Sequence, residues 1–237
     1  MPQKNYAVIL AGGIGSRMGV DIPKQFLTID KLPIIVRTLN VFQNHDKIDG
    51  IIVVVYHEYI DRVKNYKEEY GLTKILNVVA GGETRQISSY NGLCAWNFED
   101  DDIIIFHDAV RPFLNDKIID DCISGVIEIG AIDVCVKTTD TIVESSNNNT
   151  IVSMPDRTNL RNGQTPQAFR YRLILDAHEN AKKMNFTQTT DDVRLVLNLG
   201  HPVKIVDGNY DNIKITNAED MILAEAIAQK YKKNKSL

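Results

Sequence analysis

The stretch Tyr6–Leu27, YAVILAGGIGSRMGVDIPKQFL, decides how the chain is read. It opens with a continuous apolar run, Tyr6 to Leu10, of the kind a parallel strand shows when both of its faces are buried. The run breaks at Ala11-Gly12-Gly13-Ile14-Gly15, where glycines let the backbone take positive φ and come close to a ligand. Successive backbone N–H groups in such a turn form a concavity the size of an anion. Arg17 and Lys24 follow, seven residues apart on either side of Gly19 and Pro23. Together these features read as a nucleoside triphosphate site. Leu10, Ala11, Gly12, Gly13 and Gly15 would lie against the nucleotide, with Arg17 and Lys24 on its phosphates.

A glycine-rich strand-to-helix turn alone need mean no more than a helix packed closely on a sheet. The spacing Gly13-x-Gly15-x-x-x-Gly19 misses the G-x-G-x-x-G dinucleotide fingerprint by one residue, and the G-x-x-x-x-G-K-[ST] phosphate loop is absent. Glu58, the acid nearest the end of the second apolar run, sits far beyond the ~20 residues at which a ribose-binding acid is expected. An NAD(P)-dependent oxidoreductase is therefore disfavoured.

The totals bound the class. A chain of 237 residues fits one large domain, or one domain with an arm. Apolar content of 43% and charged content of 24% are those of an ordinary soluble globule. A net charge of −4 argues against a nucleic-acid partner, so cations near a site are local and purposeful. The N-terminal apolar run is too short for a signal peptide, and no run approaches the ~20 residues of a membrane span. Cys94, Cys122 and Cys135 have no metal-binding pattern and read as free thiols in a reducing cytosol, so a cytoplasmic location is expected.

Further apolar runs alternate with helical patterns. Strands are expected at Gly50–Val55, Ile75–Ala80, Asp102–Phe106, Ala131–Val136 and Val203–Val206, the last as a central strand. Helices are expected at Ile34–Phe42, Tyr59–Tyr70, Asn115–Ile129, Arg170–Lys183 and Asn217–Lys230. Alternation of this kind predicts a mostly parallel sheet with right-handed crossovers, and ligands of such sheets sit outside the carboxyl ends of the strands.

That rule gathers the remaining motifs at one edge. Gly81 and Gly82, followed by Arg85 and Ser88, would let a base lie against bare main chain. The plain alternative is a helix start with a surface arginine. The run Asp102–Phe106 leads into His107-Asp108-Ala109-Val110-Arg111-Pro112-Phe113. Asp108, at a strand's end, is a candidate Mg²⁺ ligand, with triphosphate oxygens and waters completing the shell. Arg111 either pairs with phosphate or locks Asp108 in place, and His107 packs or hydrogen-bonds locally. Strand, polar turn (SSNNNT, Ser145–Thr150) and strand suggest a projecting hairpin. Asp191 and Asp192 suit a helix start beside a threonine N-cap, a stabilising role that accounts for both. Near the end, Asp211-Asn212-Ile213-Lys214 brings an acid and a lysine together. Asp211 is either a second metal ligand or an orienting group.

Five ordered strings, LAGG-x-G-S-R-M-G…PKQF, GG-x-x-R-x-x-S, HDA-x-RP, GQTPQ-F and D-N-I-K-[IV]-T, resemble the cytidylyltransferases that activate sugar and polyol phosphates, over nearly the whole chain. The resemblance implies an α/β fold: a single Rossmann-like nucleotidyltransferase domain over residues 1–237, with a mostly parallel sheet and a protruding β-hairpin arm at 137–158. It implies a homodimer embraced by that arm, an acceptor phosphate held by Arg111, Thr141, Arg157 and Thr165, and Lys214 on phosphate. The implied reaction joins CTP and a phosphorylated polyol or sugar, giving a CDP-linked product and pyrophosphate. HDAVRPF, GQTPQ-F and Val136–Thr141 look like the ribitol 5-phosphate branch, which serves teichoic acid and cell-wall biogenesis. Asn91-Gly92-Leu93 and Pro155-Asp156-Arg157 look like the 2-C-methyl-D-erythritol 4-phosphate branch of isoprenoid biosynthesis. Ribitol 5-phosphate is the expected acceptor, with methylerythritol phosphate as the alternative. A nucleotide sensor without turnover is disfavoured, because binding alone would tolerate loss of Lys24 and Asp108.

Overall fold

The computed structural model describes residues 2–13, 22–146 and 149–235. In chain order the elements are β1 (Asn5–Ala11), β2 (Thr28–Ile29), β3 (Leu32–Pro33), α1 (Ile34–Asn44), β4 (Gly50–Val55), α2 (Ile60–Glu69), β5 (Ile75–Ala80), α3 (Arg85–Leu93) and β6 (Ile103–Asp108). There follow α4 (Asp116–Ile129), β7 (Ala131–Lys137), β8 (Glu144–Ser145), β9 (Ile151–Ser153), β10 (Arg161–Arg170), α5 (Tyr171–Lys183), α6 (Val193–Asn198), β11 (Lys204–Asp207) and α7 (Ala218–Lys235). Short 3₁₀ turns sit at Lys24–Phe26, His57–Tyr59 and Arg157–Asn159.

Seven strands form one sheet in the order β11-β7-β10-β6-β1-β4-β5. The apolar runs β1, β4 and β6 lie side by side and parallel at its centre, with Leu10 opposite both Val54 and Asp108. Their unbroken hydrophobicity is what burial on both faces demands. Alternate residues serve opposite layers, as the strand's period of two requires. Ala7, Ile9 and Ala11 pack with α1, α2 and α4. Tyr6, Val8 and Leu10 pack with α3, α5 and α6. A third cluster seats Ala224, Ile227 and Ala228 of α7 on Ile29, Val110, Phe113 and Ile215. Among the described residues no helix is long and apolar enough to cross a membrane.

Local signals set several boundaries. Asn115 caps α4, its side chain accepting from Ile118 N, and Gly130 closes the helix at φ 89. Asp30 and Lys31 both take positive φ between β2 and β3, the geometry of a tight hairpin turn. Gly92 on α3 faces the sheet so closely that an added Cβ would stand 2.5 Å from Val8 Cγ1 and 3.1 Å from Val54 Cγ2. Both valines are stiff and sit in buried strands, so Gly92→Ala overpacks the layer by about 1–3 kcal/mol. Better helix propensity returns at most about 1 kcal/mol. A mid-range overpacking cost of about 2 kcal/mol leaves a net loss of about 1 kcal/mol, so a thermal midpoint lowered by roughly 2–4 °C is expected, and an unchanged or raised midpoint would contradict it.

Three features differ from expectation. First, Arg161–Arg170, which carries no apolar run, is a strand, antiparallel to both β6 and β7 and inserted between them. Gly163, Gln164, Pro166 and Gln167 hide its pattern. Pro166 is tolerated because the pairing with β7 shifts register between Gly163 and Gln167. Second, the strand expected at Val203–Val206 forms as β11, but at the sheet's edge beside β7 alone, with Ile205 exposed. Third, α7 extends to Lys235, and its Ile222 and Leu223 face outward. The projecting hairpin is present as β8 and β9, which pair with each other and stand apart from the main sheet.

Candidate active site

A cavity of about 410 Å³ opens at the carboxyl ends of β1 and β6, where the strand-end rule puts it. Its first wall is the end of β1 and the turn after it: Leu10, Ala11, Gly12 and Gly13. Gly15 and Arg17 lie outside the described residues. Lys24 and Gln25 enter from the following 3₁₀ turn, and both are buried.

The loop after β5 makes the second wall, with Gly82, Glu83, Thr84, Arg85 and Ser88. Its shape depends on bare backbone. A Cβ on Gly82 would meet Ile87 Cγ2 at 2.1 Å, and one on Gly81 would meet Ser88 Oγ at 3.0 Å. Gly81 itself does not line the cavity. Ser88 ties the loop to its helix, its Oγ donating to Thr84 O at 2.9 Å and accepting from Gly82 N at 3.1 Å. Thr84 caps the same helix by accepting from Ile87 N.

Asp108 and Lys214 face each other across the third side. Lys214 Nζ lies 2.9 Å from Asp108 Oδ2, and Arg111 Nε lies 3.5 Å from the same oxygen. Burial alone would raise the Asp108 carboxyl. Lys214, Arg85 and Arg111 outweigh that and hold it well below the usual carboxylate range. Asp108 is therefore an ionised carboxylate near neutral pH, with a hard oxygen on the cavity.

The residues around Asp108 form a chain whose polarity can be read. His107 Nε2 lies 2.9 Å from Arg111 O, a pure acceptor, so this nitrogen carries the proton. His107 Nδ1 then accepts from Thr165 Oγ1 at 3.0 Å, and Thr165 Oγ1 accepts from Asp108 N at 3.2 Å. Burial pushes the imidazole down to about 4, which keeps it neutral. Two expectations change here. The Thr165 proton goes to His107, so this hydroxyl has none to donate to an acceptor phosphate. Arg111 is partly buried and donates to Asn212 O at 2.9 Å. Its Nε stands beside Asp108 Oδ2, the geometry of the second of its two expected roles, the locking of Asp108. Asn212 in turn donates to Thr165 O at 2.8 Å, which fixes the loop presenting Lys214.

Arg85 lines the cavity, but its Nη1 is held 2.5 Å from Asp192 Oδ2. Asp192 is fully buried and also takes Ser89 Oγ at 2.9 Å and faces His178 Nε2 at 3.2 Å. Asp192 is thus no mere helix-dipole group, since its carboxylate makes no cap bond and anchors the arginine instead. Asp191 does serve the start of α6, accepting from Val193 N.

Other expected residues stand elsewhere. Asp211 does not line the cavity; its Oδ2 accepts from Lys230 Nζ at 2.7 Å and Tyr231 Oη at 3.3 Å, so it orients the loop onto α7. Thr141 and Arg157 are exposed near the hairpin, and Arg157 donates to Thr139 O. Among the described residues no three His, Cys, Asp or Glu side chains group as a metal cage. Asp108, an ionised carboxylate on the cavity, suits a Mg²⁺ that keeps waters and substrate oxygens as ligands. Gln25, Glu83, Thr84 and Val110 line the cavity without having been singled out. Gln25 stood within the PKQF string, the one signal for it in the sequence.

Behind β10, Gln167 Nε2 donates to Asp133 Oδ1 at 3.0 Å and to Asp191 Oδ2 at 2.7 Å. Burial pushes the Asp133 carboxyl up to about 6 from 3.8. Between those values the native state binds more protons at Asp133 than the unfolded chain does, so this group lowers stability as pH rises. His107 acts oppositely. Its native value of about 4 lies below 6.5, so the unfolded chain binds more protons and stability rises with pH. Asp133→Asn removes the falling contribution and keeps an acceptor for Gln167. Its urea midpoint should climb more steeply from pH 4 to 6 than the parent's, and equal slopes would refute the assignment.

A mostly parallel sheet with a glycine-walled cavity, two lysines and the ionised Asp108 at the carboxyl ends of its central strands defines the chain as an α/β nucleotidyltransferase. The family model for IspD, 2-C-methyl-D-erythritol 4-phosphate cytidylyltransferase, matches residues 6–230. The chain belongs to that family and is a cytidylyltransferase. A protein of Clostridium botulinum (strain 657 / Type Ba4) named 2-C-methyl-D-erythritol 4-phosphate cytidylyltransferase is 40% identical over 227 residues, 96% of this chain and 98% of its own. One of the same name from Geobacillus kaustophilus (strain HTA426) is 41% identical over 224 residues, 94% of this chain and 96% of its own. The crystal structure of 4-diphosphocytidyl-2C-methyl-D-erythritol synthase from Anaerococcus prevotii DSM 20548 superposes with a TM-score of 0.83 at 30% identity, covering 96% of this chain and 99% of that one. These relatives carry the methylerythritol name, not that of the ribitol branch expected from the HDAVRPF and GQTPQ-F strings.

Proposed function

We propose that the chain transfers CMP from CTP to 2-C-methyl-D-erythritol 4-phosphate. An oxygen of the acceptor phosphate attacks the α-phosphorus of CTP, the bond from that phosphorus to the β-phosphate bridge breaks, and pyrophosphate leaves with the electron pair. The products are 4-diphosphocytidyl-2-C-methyl-D-erythritol and pyrophosphate. The observation that carries this reading is the convergence of Lys24, Asp108 and Lys214 on one cavity, in a chain whose family model and relatives bear the methylerythritol name.

A phosphate oxygen is already anionic near neutral pH, so the attack requires no strong general base. Catalysis rests on in-line positioning and on charge held in place before the reaction starts. Lys24 and Lys214, both on the cavity wall, supply positive charge. Arg17 is assigned the same task by the family resemblance. The glycine turn after β1 holds the phosphates with backbone N–H groups, and the bare loop at Gly81 and Gly82, fixed by Ser88, takes the base. Asp108 is the residue that would hold Mg²⁺, which when bound neutralises charge on the triphosphate. Arg111 and Thr165 hold Asp108 in position for that role.

The arm is assigned to a homodimer. Its Ile151 and Val152 on β9, and Met154 just after it, are exposed apolar side chains, which a second copy would cover, bringing Thr141 and Arg157 toward an acceptor. Light scattering that finds a monomer at assay concentration would remove this part of the proposal.

A panel of CTP-dependent pyrophosphate-release assays tests the acceptor. Turnover with 2-C-methyl-D-erythritol 4-phosphate far above that with ribitol 5-phosphate or ribulose 5-phosphate is expected. The reverse order would restore the ribitol reading, and pyrophosphate release with none of them would reject all three acceptors.

A further inference from the structure

Gln25 has no part in the reaction as drawn above, yet it is 1% exposed and forms part of the cavity wall. A buried carboxamide is costly unless it is hydrogen-bonded. Gln25 Nε2 donates to Ala11 O at 2.7 Å, across 14 residues of chain. Ala11 is the last residue of β1 and directly precedes the glycine turn. Lys24 directly precedes Gln25. One hydrogen bond therefore joins the two sides of the proposed phosphate mouth at its base.

The rest of the turn is secured on its far side. Phe26 N donates to Pro23 O at 2.9 Å, and Leu27 N to Lys24 O at 3.1 Å. The Phe26 ring lies under the Arg62 guanidinium at 4.3 Å and beside Tyr59 at 4.9 Å. These contacts hold the turn to α2 and the core, but none of them sets its distance from the glycine backbone. The Gln25 bond spans that gap directly, from side chain to main chain. Lysine is a point charge on a flexible four-carbon stem, so its aim depends on how firmly its backbone is held.

We infer that Gln25 is a positioning residue: its amide clamps the Lys24 turn to the end of β1, so that the ammonium and the backbone at Gly12 and Gly13 present one preorganised surface to the CTP phosphates. The inference rests on the cytidylyltransferase reading of the site, which turnover of CTP by the parent chain establishes independently. It adds a role to the PKQF string beyond supplying the lysine.

A double-mutant cycle on the full chain tests it. Gln25→Met keeps the volume and removes the donor. Gln25→Asn keeps the amide but is one methylene too short to reach Ala11 O. Each should lower kcat by about tenfold and leave KM for the acceptor within about twofold, because the clamp acts on phosphate charge and not on the acceptor. In a Lys24→Ala background the same changes should cost less than about twofold more, because a residue acting through Lys24 has nothing left to position. Thermal midpoints accompany the rates, and Gln25→Asn decides if Gln25→Met does not fold. Full additivity with Lys24→Ala, or variants within about twofold of the parent in kcat, would overturn the inference.

Discussion

Asp108→Asn should lower kcat/KM for CTP by about 10²–10³-fold or more, judged from the loss of one preorganised charged partner. The change is isosteric, so packing at the end of β6 is preserved and the loss reports charge. Asp108 Oδ2 is the shared partner of Lys214 at 2.9 Å and Arg111 at 3.5 Å. Without it Lys214 loses its ion-pair partner and Arg111 is left with its bond to Asn212 O. The residue that would hold Mg²⁺ goes at the same time. Because three cations outweigh burial at this carboxyl, its native value lies below 3.8, and the stabilisation it contributes is present above that pH and lost as pH falls below it. Near neutral pH Asp108→Asn should therefore also lower the thermal midpoint. Pyrophosphate release within about threefold of the parent would remove Asp108 from the reaction.

Asp192→Asn should produce the largest loss of stability. The carboxylate is fully buried and meets Arg85 at 2.5 Å, Ser89 at 2.9 Å and His178 at 3.2 Å. Asparagine can still accept from Ser89 but cannot balance the arginine. Breaking a buried pair by removing one partner costs about 3–5 kcal/mol. Arg85 keeps 21% of its side chain exposed, toward the cavity it lines, so about 3 kcal/mol is expected. At roughly 2–4 °C per kcal/mol for a chain of this length, the thermal midpoint falls by about 6–12 °C. The paired change Arg85→Met with Asp192→Leu should recover much of that stability, since apolar replacement of a buried pair is often neutral, while activity stays low because the cavity has lost its arginine. A midpoint for Asp192→Asn within about 2 °C of the parent would show that the pair is not load-carrying.

The two predictions differ in how far each could be foreseen. Asp108 ends an apolar run, and the strand-end rule alone places it on the ligand edge. Asp192 sits in a stretch of threonine and acid that a helix start explains fully. Its partner Arg85 is 107 residues away, and nothing near either residue announces the other. The sequence places Thr165 on an acceptor phosphate and leaves Arg111 either on phosphate or locking Asp108. The structure has His107, Asp108 and Asn212 using them. Asp211 was grouped with Lys214 by proximity in sequence, although the loop turns it toward α7.

Local chemistry was enough for the strands that became the centre of the sheet, for the caps at Asn115 and Gly130, and for the glycine turns and strand-end acid that mark a nucleotidyltransferase. Each of these depends on a few neighbouring residues: unbroken apolar runs need two buried faces, and bare turns need glycine. Only the tertiary structure decided that Arg161–Arg170 enters the sheet antiparallel, that β11 lies at an edge, and which polar groups are left over for substrate. Those outcomes depend on which distant residues the topology brings within hydrogen-bond reach. A side chain's partner across the sheet leaves no period or spacing in the chain that carries it.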